Sequence, residues 1–171
     1  MTLDVEQAAA TFPLTPFELS MTAYTEVVVG QLFARIADAK LGKDLQNNLS
    51  RLFIERSARL VRNDESDYSE PRSFDYAVAT VAAPDLHLRF VRVRGEFSID
   101  IAVPGEPRKW DALDSALTWL DMPHGTSEKA DLPNWSYGLD WRTLDWPSVD
   151  GFLADNWDRI KAAASARSSS R

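Results

Sequence analysis

The chain contains no cysteine. This excludes a disulfide framework, a thiolate zinc site and a cysteine nucleophile, and it is compatible with a reducing cytoplasm. Histidine is almost as scarce. His87 and His124 are the only two, they fall in different elements, and neither belongs to an HxH or HExxH pattern. No metal is expected from that spacing. No run of ~18 apolar residues occurs, so no membrane-spanning helix is expected. The opening stretch MTLDVEQAAATF carries Asp4 and Glu6 and no basic region, which argues against a signal peptide. A GxSxG nucleophile elbow, a phosphate-binding loop and a dinucleotide fingerprint are also missing. No cofactor is expected, and no motif points to an enzyme.

What is present has the proportions of a globular chain. Of 171 residues, 44% are hydrophobic and 26% charged, which fits one domain spanning 1–171 with a real core. The net charge is −7, and it is unevenly placed. Residues 111–158 hold ten acidic side chains against Lys129 and Arg142, while the rest of the chain is nearly balanced. An acidic segment repels a phosphate backbone, so nucleic acid is not an expected partner. It would attract a basic protein; the plainer alternative is solubility.

The clearest local pattern is LHLRFVRVRGEFSIDIAV, residues 86–103. Phe97, Ile99, Ile101 and Val103 alternate with Glu96, Ser98, Asp100 and Ala102, as in a strand with one buried and one wet face. Arg94-Gly95 supplies the reversal, with Gly95 able to take a positive φ. Phe74 to Ala82 adds a third strand. The expected sheet is therefore an antiparallel meander over 74–82, 86–94 and 96–103.

Helices are predicted on either side. Thr15 and Pro16 start one running from Phe17 to about Ala39, with Leu19, Ala23, Val27, Leu32, Phe33 and Ile36 as its stripe and Gly42 as its C-cap. A second runs from Asp44 to about residue 55, and residues 56–62 suit either a helix or a strand. A short helix is predicted over Trp110 to Asp121 and a final one from about Ser148 to Ala164. Between these two lies a long irregular stretch, Met122 to Pro147. Residues 1–14 and 165–171 are expected to be loose. The fold class is thus α+β: N-terminal helices, a three-stranded meander, a short helix, a Trp-rich loop and a C-terminal helix.

Two constellations could carry function. The first is aromatic: all six Trp fall between residues 110 and 157. In NWSYGLDWRTLDWPSVD, Trp135, Tyr137, Trp141 and Trp146 are interleaved with Asp140 and Asp145. Trp and Tyr bury much area at low entropy cost, so these six residues are candidates for partner binding. Packing of the long loop onto the sheet is the competing reading. The second is polar. Glu96 and Asp100 share one strand face with Ser98 between them, and Arg92 and Arg94 are expected opposite them as cross-strand ion pairs. Glu96, Asp100, Arg92 and His87 are the candidates for a pocket beside the meander, the basis of a reading as a small-molecule-binding domain or small enzyme. An adaptor that uses the Trp-rich loop is a third possibility.

The block LRFVRVRGEFSIDIAVPGEPRKWDALDSALTWL resembles a pattern of small bacterial immunity proteins from contact-dependent and polymorphic toxin systems. The features that carry the likeness are the Arg94-Gly95 turn, a second strand ending near Asp100, a polar loop, Trp110, and the short Leu-rich helix from Leu113 to Leu120. The resemblance covers residues 74–121. It implies a non-enzymatic cytoplasmic protein that binds and blocks a cognate toxin domain, with the hairpin as scaffold. An acidic inhibitor facing a basic toxin would associate fast and in a salt-sensitive way.

Overall fold

A computed structural model describes residues 16–61, 76–94, 96–105, 109–121 and 144–169. It is an α+β fold built on a five-stranded antiparallel sheet whose strands follow chain order. The elements are α1 (Pro16–Asn48), α2 (Ser50–Glu55), β1 (Arg59–Val61), β2 (Ala77–Ala82), β3 (His87–Val93), β4 (Glu96–Ala102), β5 (Asp111–Ala112), α3 (Leu113–Asp121), α4 (Trp146–Asp155) and α5 (Trp157–Ser169).

The three-stranded meander is present at the centre, and a short strand extends it on each side. Residues 59–61 resolve the helix-or-strand ambiguity as β1, paired with β2 from Arg59↔Ala82 to Val61↔Thr80. On the other side Asp111 and Ala112, expected in a helix, pair with β4 before α3 begins. Phe74, at the expected start of β2, lies outside the described residues, as do residues 1–14.

The hairpin register is set by its loop. Val93 pairs with Glu96, which leaves only Arg94 and Gly95 between the strands. A two-residue loop matching the right-handed strand twist requires positive φ at its first central position. Arg94 accordingly has φ 50°, although a glycine was the residue expected to supply the reversal.

That register divides the sheet into two faces. Ala77, Ala79, Val81, Leu88, Phe90, Phe97, Ile99 and Ile101 point to the core. Against them pack Leu41, Leu45, Leu49 and Leu52 from the N-terminal helices, Leu113 and Leu117 from α3, and Val149, Leu153, Trp157 and Ile160 from α4 and α5. Phe97 is packed edge-on by Trp146, with ring centroids 5.7 Å apart and an interplanar angle of 81°.

The helices differ from expectation in three respects. First, α1 runs unbroken through Gly42 to Asn48, because Gly42 is not a cap. It is where Leu60 of β1 comes closest, and a Cβ there would sit 3.1 Å from a Leu60 methyl. Second, among the α1 residues whose side chains are described, Ala34, Asp38, Leu41 and Leu45 form the buried stripe while Leu32, Phe33 and Ile36 are exposed; the side chains of Leu19, Ala23 and Val27 lie outside the described residues. Third, the C-terminal helix is two helices. Asn156 interrupts it, with its backbone N–H and its Nδ2 both donating to the Phe152 carbonyl at 3.0 Å. The second piece reaches Ser169, so 165–169, expected to be loose, are helical.

Two buried carboxylates tie the layers together. Asp150 of α4 accepts from the backbone N–H of Arg51 at 3.0 Å and of Leu52 at 3.2 Å. It caps α2 from a distant part of the chain, since Leu49 offers no side-chain cap. Asp38 of α1 accepts from the Val78 N–H at 2.7 Å. That bond ties a helix side chain to the backbone of β2, two residues from Thr80, which pairs with Val61 of β1.

Candidate partner-binding face

The second face of the sheet carries the polar half of the strand alternation. Its central row reads Val61, Thr80, Arg89, Asp100, Ala112 across the five strands, and a neighbouring row reads Arg59, Ala82, His87, Ala102. Glu96 and Ser98 are exposed on it, and Val91 and Val93 are half-buried.

Arg89 is the centre of this face. Its Nε and Nη2 both donate to Asp100 Oδ2, at 3.0 and 2.7 Å. Its guanidinium also lies over the Trp110 ring, 4.7 Å from the centroid. A guanidinium held by a carboxylate and stacked on an indole has lost most of its rotamer freedom before any partner arrives. Two residues that the immunity-protein pattern singled out, Asp100 and Trp110, thus meet on one arginine that the sequence reading passed over.

The expected pairing of Arg92 and Arg94 with Glu96 and Asp100 is not found. Arg92 sits directly across from Phe97, on the core side, and is buried. The four groups considered for a pocket, Glu96, Asp100, Arg92 and His87, are therefore divided between two faces. His87 is held below its ordinary pKa, first by partial burial and second by the positive charge of Arg59 in the same row. No group of three or more His, Asp or Glu that could hold a metal ion occurs among the described residues.

Of the six residues proposed for partner contact, Trp135, Tyr137, Asp140 and Trp141 lie outside the described residues. Asp145 is exposed just before α4 and makes no cap hydrogen bond. Trp146 is half-buried against Phe97, on the opposite side of the sheet from Arg89. The two proposed contact residues that the structure describes are thus split, one solvent-facing and one packed on the core.

The acidic segment is partly consumed inside the fold. Asp111 is buried and ion-paired with Arg167 at 3.3 Å, and Asp150 is the internal cap of α2. Asp155 pairs with Arg51 at 2.8 Å, and together with Glu55 it raises the Arg51 pKa above its already high value, Glu55 contributing most. Asp85 similarly accepts from Trp157 Nε1 and Lys161 Nζ, both at 3.2 Å. Basic residues from outside the acidic third return to neutralise it, something a linear count of charge does not register.

No family model, no curated protein and no solved structure matches this chain. The face must therefore be judged on its own geometry. A fixed Arg–Asp–Trp cluster, ringed by half-buried valines and exposed polar groups, has the side-chain types and the rigidity that favour protein recognition. No helix among the described residues is long and apolar enough to cross a membrane.

Proposed function

We propose that this chain is an immunity-type inhibitor: it binds a cognate toxin domain in the cytoplasm of the producing cell and blocks it without catalysis. The observation that carries the reading is the convergence of Asp100 and Trp110 on Arg89. The described parts of that block, β2 to β5 and α3, share one antiparallel sheet and the helix packed on it, and Asp100 and Trp110 form a single pre-ordered cluster with Arg89 on the outer face. Pre-ordering lowers the entropy cost of association.

Specificity in this proposal comes from the Trp-rich segment, with Trp135, Tyr137, Asp140, Trp141, Asp145 and Trp146 contributing to the contact. The partner is a basic protein domain rather than nucleic acid or membrane. Because Asp111, Asp150 and Asp155 already serve internal partners, the electrostatic share of binding is smaller than the segment's charge suggests, and a modest salt dependence is expected.

The test has two stages. The purified chain is used as bait in lysate of its native cell at low and high salt. Any captured protein is then expressed alone and together with the chain. A captured protein that arrests growth alone and is harmless when co-expressed supports the proposal. A captured protein without toxicity, or toxicity that co-expression leaves unchanged, refutes it.

A further inference from the structure

The outer face holds a charge arrangement that the fold leaves uncompensated. In the row Arg59, Ala82, His87, Ala102, the two ionisable groups are both basic, and they stand on either side of one buried alanine. Two strand spacings set their backbones roughly 10 Å apart. Their side chains sense each other, since Arg59 is one of the two causes that lower the His87 pKa. Arg59 is exposed and His87 half-buried. Neither makes a hydrogen bond or an ion pair among the described residues.

The carboxylates described on neighbouring elements are engaged elsewhere. Asp100, diagonal to His87 on β4, holds both Arg89 donors on one oxygen. Asp85, in the turn before β3, accepts from Trp157 and Lys161. Arg89, two residues along the His87 strand, is matched by Asp100, and β2 contributes uncharged Ala82 and Thr80. Two like charges side by side on a sheet are unfavourable, and a negative charge laid between them would reverse that cost.

We propose that Arg59 and His87 form a docking point for one carboxylate, an Asp or Glu side chain presented by the protein partner. The inference rests on the toxin-binding reading for the source of the carboxylate and adds a named contact to it. A guanidinium takes a carboxylate through two parallel N–H bonds, and an imidazolium adds another donor. Charge selects a single carboxylate over a polyanion. The chain carries −7 overall, which repels nucleic acid or an anionic membrane at long range, whereas a basic domain that displays one acidic side chain is attracted. His87 and Arg89 share a strand face, so the docking point borders the fixed Arg89–Asp100–Trp110 cluster. Contact with a carboxylate favours the imidazolium, so His87 takes up a proton on association and the complex tightens as pH falls through the ordinary histidine range.

The experiment has two arms. In the first, the full chain is titrated by NMR in sodium acetate and in sodium chloride at equal ionic strength. His124→Gln leaves His87 as the single histidine, so its imidazole resonance is read directly. Acetate should raise the His87 pKa relative to chloride, and Arg59→Gln should abolish the difference. An equal His87 pKa in the two salts overturns the carboxylate site, as does a difference that survives Arg59→Gln.

The second arm uses the captured toxin. Affinity should rise about three-fold or more from pH 8 to pH 6, and His87→Gln should flatten that rise. Arg59→Gln should weaken binding by about ten-fold at pH 6. Arg59 is exposed, so an unchanged melting temperature separates a lost contact from a lost fold. Binding that ignores both variants overturns the docking point and leaves the toxin-binding reading standing. Capture of no toxin overturns that reading and the named source with it, while the acetate arm alone decides whether Arg59 and His87 hold a carboxylate.

Discussion

Arg89 and Asp100 face each other directly across β3 and β4, with both guanidinium donors converging on one carboxylate oxygen at 3.0 and 2.7 Å. The pair is partly shielded and stacked from one side by Trp110, so it should be worth more than an exposed surface bridge. A double-mutant cycle with Arg89→Met and Asp100→Asn is expected to give a coupling of about 1 kcal/mol in urea unfolding. A coupling near zero would show that the pair is ornamental to the fold.

Arg94 occupies the left-handed region at φ 50°, where a side chain with a Cβ is disfavoured. Asparagine tolerates that conformation, and Asn-Gly is a preferred sequence for this loop. Arg94→Asn is expected to stabilise the protein by about 0.5 to 1 kcal/mol, read as a raised urea midpoint at unchanged slope.

Asp150 caps α2 from across the fold. Asp150→Ala leaves the N–H groups of Arg51 and Leu52 without their acceptor in a buried setting. The expected loss is about 2 to 3 kcal/mol. Asp150→Asn keeps one carbonyl acceptor and should lose about half as much.

His87 has a folded pKa below its unfolded value. The unfolded chain therefore binds more protons at this site, and its contribution to stability is complete above the unfolded pKa of about 6.5 and declines as pH falls below it. The slope of unfolding free energy against pH between about 7 and 5 should be positive in the wild type. His87→Gln should reduce that slope while leaving stability at pH 8 nearly unchanged. Equal slopes in both proteins would remove His87 as the cause.

Trp141 tests the partner-binding proposal. Trp141→Ala is expected to weaken the complex with the cognate toxin by about 2 kcal/mol or more at an unchanged melting temperature. Unchanged affinity with a lowered melting temperature would instead assign Trp141 to the core.

The central meander was legible from the residues because strand alternation has period two and the hydrophobic positions keep to it from Phe97 to Ile101. The partner of Asp100 was legible too, had the loop been used as a ruler. Two residues at Arg94-Gly95 pair Val93 with Glu96, and counting back sets Arg89 opposite Asp100 and turns Arg92 inward. The edge strands were harder to see. β1 and β5 have three and two residues, too short for any periodicity to show. The roles of Asp38 and Asp150 were not legible at all, because each meets a backbone amide far away in the chain. Helix α1 misled in a different way: two opposed apolar stripes blur the single-sided pattern by which a buried face is recognised.

The Asp150 cap also sets an order of events during synthesis. Leu52 and its acceptor are separated by 98 positions. At roughly 5 to 20 residues per second, α2 leaves the ribosome roughly 5 to 20 seconds before the residue that completes it. The N-terminal helices and the meander must wait through that interval with the lower layer of the core missing. A chain stalled or truncated before α4 would leave Leu52 and the N–H groups of Arg51 and Leu52 uncovered, and it would be recognisable to a chaperone by that open end of the core.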